Sequence, residues 1–328
     1  MHCDVVLRGA PITEIGRQAA RVEELGFAGV GVTETNGNPF LAAAQAAQGT
    51  SRIRVATAIA LAFPRTPMDV AYTAWDLQAL SGGRFALGLG TQIRAHVERR
   101  YGAVWSRPAA RMREYILALH AIWDAWETGG ELAFEGEIYR HTLMPPNFRP
   151  PASAHPRPPV LLAAVRERMT EVAGEVADGL LGHAFCTEAV LREVTLPALE
   201  RGLERAGRAR KDVEVTASVF VATSDEEWEA NRRRVAFYGS TPGYRHVLDH
   251  HGLGDLFEAL HAASRAGDWA TMPALVDDDV LGLFVTRGAD PESLAAAVRA
   301  RLDGVADRVA LVTEDGDPAT IAPVAAAL

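Results

Sequence analysis

A chain of 328 residues with 48% apolar and 23% charged residues has the composition of an ordinary folded protein and shows no sign of disorder. Its net charge of −9 and pI near 5.6 disfavour a nucleic-acid partner, which needs a basic surface. Two cysteines, Cys3 and Cys186, are too few for a disulfide framework. No apolar run approaches the ~20 residues that span a bilayer, and Met1-His2-Cys3-Asp4 lacks a signal peptide's basic region, so a cytoplasmic protein without membrane contact is expected.

Strand-like runs alternate with helical periodicity along the whole chain. Cys3–Leu7 reads as the first strand and Ile12–Leu25 as its helix, stopped by Gly26. Gly29–Val32 is the second strand, running out at Thr33-Glu34-Thr35-Asn36, and Phe40–Gly49 is an alanine-rich helix. Ile53–Leu61 is the third strand. Pro67 opens a helix that Gly82-Gly83 stops. Arg84–Gly90 is the fourth strand, apolar after its arginine and ending Gly88-Leu89-Gly90. Glycines there imply close approach of a ligand or of another chain segment. A polar excursion, Gln92–Arg111, precedes an amphipathic helix from Met112 to Trp126.

The irregular stretch 135–159 contains seven prolines. Val160–Val165, Gly179–Gly182 and Val213–Ala222 are the fifth to seventh strands, and a large insertion is expected from about Phe237 to Leu283. Within it, Asp277-Asp278-Asp279 reads as a polar turn before a strand-like run, and His250-His251 as a helix-end pair rather than metal ligands. Asp290-Pro291-Glu292 signals a helix start, and Arg308–Thr313 is the eighth strand. Eight strand–helix units predict one domain, residues 1–328, folded as a (β/α)8 TIM barrel with insertions at about 91–111, 135–159 and 237–283. A doubly wound sheet would carry a Gly-rich turn after its first strand, and Arg8-Gly9-Ala10-Pro11 is not one.

A barrel places its site where the strands end. Lys211, the only lysine, lies in a polar stretch, so Schiff-base and Walker-type chemistry is excluded and any anion must be held by arginine or backbone N–H groups. Glu34 ends a buried strand, where an unpaired carboxylate is expensive; a polar cofactor contact is favoured over a structural ion pair. Asn36 is read as a second contact or a turn cap. His96 is read as a ring contact or general acid, against a solvated loop histidine.

The runs Glu24-Leu25-Gly26-Phe27, Leu80-Ser81-Gly82-Gly83-Arg84-Phe85, Arg111-Met112-Arg113-Glu114-Tyr115 and Ala173–Gly179 resemble the bacterial luciferase-like superfamily. Thr91-Gln92, Arg107–Arg111 and Phe237–Pro242 resemble its actinobacterial branch dependent on coenzyme F420. The resemblance implies an oxidoreductase that holds F420 at the barrel mouth and moves a hydride between it and a small organic substrate. FMN is the alternative cofactor, with monooxygenase chemistry or a non-catalytic binding barrel as alternative functions. It implies a cis peptide bond at Ala58–Ile59 behind the ring, contacts from Glu34, Gly90 and Thr91, and a phosphate near Val165-Arg166 and His183-Ala184. It leaves Glu34, Asn36 and His96 as the catalytic candidates, with no metal and a homodimer expected. The chain departs from its relatives at Arg166-Glu167, where Gly-Pro is frequent, at Thr35, where sugar-phosphate dehydrogenases have histidine, and at Ile93, where flavin-binding members have tryptophan. The long insertion is expected to be either a lid over the substrate or a dimer interface.

Overall fold

The computed structural model describes residues 1–313 and 316–328. Eight parallel strands close on themselves: β1 (His2–Leu7), β2 (Gly29–Val32), β3 (Arg54–Thr57), β4 (Phe85–Gly90), β5 (Val160–Ala164), β6 (Gly179–Gly182), β7 (Glu214–Ala222) and β8 (Arg308–Val312). Closure runs through His2↔Arg308 between β1 and β8, and through Thr216↔Arg308 between β8 and β7. Strands buried on both faces need continuous apolar runs, and β2 and β4 are buried at every residue. The barrel helices are α1 (Ile12–Glu24), α2 (Pro39–Gly49), α3 (Pro67–Leu80), α4 (Pro108–Thr128), α5 (Glu167–Val176), α6 (Leu196–Ala206), α7 (Pro291–Leu302) and α8 (Pro318–Ala327). Sequence chemistry sets several starts: Asn38, Thr66 and Asp290 each cap a helix whose next residue is proline.

The third strand, read from composition as one run over Ile53–Leu61, is interrupted at the cis bond that the resemblance implied. It breaks after Thr57, crosses a cis peptide bond at Ala58–Ile59, and resumes as Ala60–Leu61 against the end of β4. The glycines of β4 answer to this break. A Cβ on Gly88 would fall on the Thr57 carbonyl oxygen, and one on Gly90 would lie 2.6 Å from Ile59 Cδ1. Their close approach is therefore to another chain segment.

Charges plug the base of the barrel. Arg308 on β8 forks onto Asp4 on β1, with Nε to Oδ2 at 2.8 Å, and Arg54 on β3 forks onto Glu214 on β7, with Nη2 to Oε2 at 3.0 Å. Two opposed pairs neutralise one another in the low-dielectric interior.

The long excursion between β7 and α7 opens with helix Asp225–Gly239, so Phe237 falls near the end of that helix. Helices Arg245–His250, Gly254–Ala266 and Asp278–Phe284 follow, and Val285–Arg287 pairs with the far end of β7. Asp277 accepts from the Val280 N–H at 2.8 Å, so the aspartate run starts a helix where a strand was expected. The excursion encloses its own apolar core, in which Phe185 stacks on Phe284 at 4.4 Å, with Leu248 and Phe257 buried beside them. Among the described residues, no helix is long and apolar enough to cross a membrane.

Candidate active site at the barrel mouth

A cavity of 840 Å³ opens at the carboxyl ends of the strands and reaches down to the Asp4 and Arg54 side chains. Its walls include Glu34, Ala58, Ile59, Gly90, Thr91, Val165, Arg166, His183 and Ala184. These come from the ends of β2 to β6, brought together because parallel strands all end on one face.

Glu34 corrects the expectation from sequence. Its buried carboxylate accepts from Leu61 N and Arg65 Nη1, each at 2.8 Å, from Arg65 Nη2 at 3.0 Å and from the Tyr101 hydroxyl at 2.8 Å. Four donors saturate both oxygens, so the protein itself provides the partners that burial demands. Burial, and then the bond to Glu34, raise the Tyr101 hydroxyl above its usual pKa and keep it a donor. The carboxylate braces the Ala60–Leu61 segment that follows the cis bond; it is not free to accept a substrate proton.

Asn36 and His96 do not line the cavity. Asn36 is exposed and lies 3.5 Å from the Gly9 carbonyl. His96 sits on a short helix, Arg94–Arg99, whose buried residue is Val97. Neighbours on a helix point about 100° apart, so burying Val97 turns His96 to solvent. The histidine of the cavity is His183, directly after β6. Its Nδ1 accepts the Phe185 N–H at 3.0 Å, and burial, with Arg8 adding a smaller push, lowers it to a pKa of about 4.

Arg166 donates to the Pro242 carbonyl at 2.8 Å and the Gly243 carbonyl at 3.3 Å, tying the excursion to the end of β5. It begins α5, which no side chain caps, so the N–H groups of Glu167 and Arg168 remain without helix partners. Glu167 turns away to Arg201 at 2.6 Å.

Sequence reasoning missed Arg8, which lines the cavity together with Tyr238 and Tyr244 of the excursion. Arg8 was legible as the residue that follows β1. The two tyrosines belong to the segment whose aromatic and glycine content suits a lid over an apolar ligand. Among the described residues, neither Arg8 nor Arg166 has a carboxylate partner, whereas the other arginines of the wall do. The chain is acidic overall, yet the mouth carries a local excess of positive charge.

The chain is 50% identical over 297 residues to an uncharacterized protein of Mycobacterium tuberculosis, covering 89% of this chain and 87% of that one. It is 27% identical over 278 residues to the 5,10-methylenetetrahydromethanopterin reductase of Archaeoglobus fulgidus, covering 81% and 79%. The fold superposes on the coenzyme F420-dependent tetrahydromethanopterin reductase of Methanopyrus kandleri with a TM-score of 0.80 at 22% identity, covering 99% and 97%. The family model for luciferase-like monooxygenases matches residues 3–308, nearly the whole barrel, and the chain belongs to that family.

Proposed function

We propose that this chain is an oxidoreductase that binds coenzyme F420 at the barrel mouth and uses it on a small organic substrate. The observation that carries the reading is the donor set at the end of β5. The uncapped N-terminus of α5, with Arg166 and Arg168 in the cavity wall, is suited to a phosphate monoanion or diester. Arg8 adds a second cation without a carboxylate partner on the opposite rim. Across the mouth, Ala58 and Ile59 project a small apolar shelf beside Gly90 and Thr91, which fits the flat face of a tricyclic ring.

When bound, the deazaflavin supplies a hydride. The chain's own residues do the rest. Ala58 and Ile59 back the ring, Glu34 holds that shelf through the Leu61 N–H, and Tyr238 and Tyr244 close the far side against water. Arg166 links the phosphate end to this roof, because its guanidinium already grips the excursion at Pro242 and Gly243.

Titration with F420 and with FMN, followed by fluorescence, tests the reading. F420 binds in preference to FMN, and Arg166→Ala weakens F420 by roughly tenfold or more, the worth of a charge-assisted hydrogen bond. Micromolar binding of FMN with none of F420 overturns it.

A further inference from the structure

His183 is the one histidine whose ring faces the cavity among the described residues. Three contacts define what it can do there. The Phe185 N–H takes up the Nδ1 lone pair, so the neutral ring carries its proton on Nε2. The Tyr238 and Tyr244 rings lie with centroids 4.7 Å from the imidazole, one edge-on and one tilted, and fix its orientation. Nε2 has no acceptor among the described residues and is not sealed by protein, so its N–H opens onto the cavity.

The surroundings keep this donor uncharged. Burial is the main cause and the Arg8 guanidinium the second, and together they disfavour a second proton on the ring. A neutral imidazole N–H is a poor partner for a phosphate, which α5 and Arg166 serve better. It suits a carbonyl oxygen, and with Arg8 nearby it suits one on which negative charge grows. Position agrees. The shelf of Ala58 and Ile59 continues β3, and in the closed eight-stranded barrel β6 stands three strands further round, across the mouth from it. A ring lying on that shelf turns its open face toward His183 and the two tyrosines.

We infer that His183 donates the hydrogen bond that holds the substrate's reacting oxygen, and that the substrates are uncharged ketones or aldehydes bearing an aryl or similarly broad apolar group. The apolar group packs on Tyr238 and Tyr244. On reduction, hydride from the reduced deazaflavin adds to the carbonyl carbon, the C=O π pair moves to oxygen, and water supplies the proton. His183 keeps its own proton throughout and stabilises the oxygen. This assignment rests on the hydride-transfer reading for its chemistry, but its binding geometry is testable without the cofactor. It places His183 with the substrate instead of the cofactor phosphate.

The test uses acetophenone, isotope-labelled at the carbonyl carbon, and ethylbenzene, its analogue without oxygen, on the full chain with and without F420. Acetophenone binds about tenfold more tightly than ethylbenzene, as one hydrogen bond predicts, and its carbonyl resonance moves downfield on binding. His183→Ala abolishes both the preference and the shift, while His183→Gln, which keeps an N–H donor, retains them in part. F420 affinity stays within about twofold in both variants, since the phosphate donors are untouched. Equal binding of the two probes, or binding of neither at millimolar concentration, overturns the assignment. So does a large loss of F420 affinity in His183→Ala with the ketone preference intact. Failure of the unaltered chain to bind F420 sinks the cofactor reading alone, because the probe comparison without cofactor still decides the role of His183.

Discussion

The Glu34–Arg65 pair gives the sharpest test of whether the site has been read correctly. The two side chains are 4% and 16% exposed, respectively, so the pair belongs to the buried regime, where removing one partner strands the other. Glu34→Gln replaces one carboxylate oxygen by an NH2 group. That group then faces Arg65 in either orientation, together with the Leu61 N–H or the Tyr101 hydroxyl, turning an acceptor into a donor opposite donors. The expected loss is ~3 kcal/mol, the lower end for breaking a buried pair. Spread over 328 residues at ~2.1 cal/mol/K of unfolding entropy each, that loss lowers Tm by ~4 °C. Urea unfolding of Glu34→Gln, Arg65→Met and the double variant measures it, and the double variant costs less than the sum of the singles. Loss of cofactor affinity should follow the loss of stability, because Glu34 acts through Leu61 and the shelf. A Glu34→Gln protein with unchanged unfolding and a hundredfold loss of F420 affinity would refute this reasoning and restore Glu34 as a direct cofactor contact.

Gly88→Ala meets the Thr57 carbonyl head-on, with backbone on both sides unable to yield; urea titration should show a loss of ~3 kcal/mol or failure to fold. His120 and His183 are both held at about 4 by burial, so each stays neutral in the fold while the unfolded chain takes up protons near 6.5. The contribution of each is complete above ~6.5 and fades as pH falls toward ~4, by ~3 kcal/mol for a group shifted this far, and His120→Phe should flatten part of that slope in a stability–pH profile. Desolvation is the largest single influence on Glu23 and pushes its carboxyl up, but the N–H groups of Arg52, Ile53 and Ser51, with the Ser51 hydroxyl, together outweigh it and hold the carboxyl at about 2. Its support for the turn before β3 is therefore present above ~4.5 and lost as pH falls toward ~2, and Glu23→Gln should reduce acid sensitivity in that window.

The barrel was legible because parallel strands buried on both faces must be short, apolar and bounded by turn residues, and β2, β4 and β6 carry glycine at those bounds. What sequence blurred were the places where tertiary contact overrides local pattern. Ile53–Leu61 has an unbroken strand composition; the resemblance pointed to the cis bond at Ala58–Ile59, and the approach of Thr57 and Ile59 to Gly88 and Gly90 shows the break it makes. Asp277–Asp279 looks like a turn until Asp277 is seen capping the helix that carries buried Leu281 and Phe284.

The site shows the same division. Strand-end position puts Ala58, Gly90, Val165 and His183 on the cavity wall, because that placement follows from topology alone. It could not separate His183 from His96, since both follow a strand within a few residues. The difference is local: His183 comes directly after its strand, whereas His96 comes after Gln92, at φ 61°, and the start of a helix that buries Val97 instead. Glu34 is the more instructive case. A buried carboxylate needs a partner, and here the partner is a cation 31 positions away, beyond the break in β3. A search of the neighbouring strand end for an arginine would have met Arg65. The rule that marks a buried charge as functional has to be applied only after the adjacent strand ends have been searched for its counter-ion.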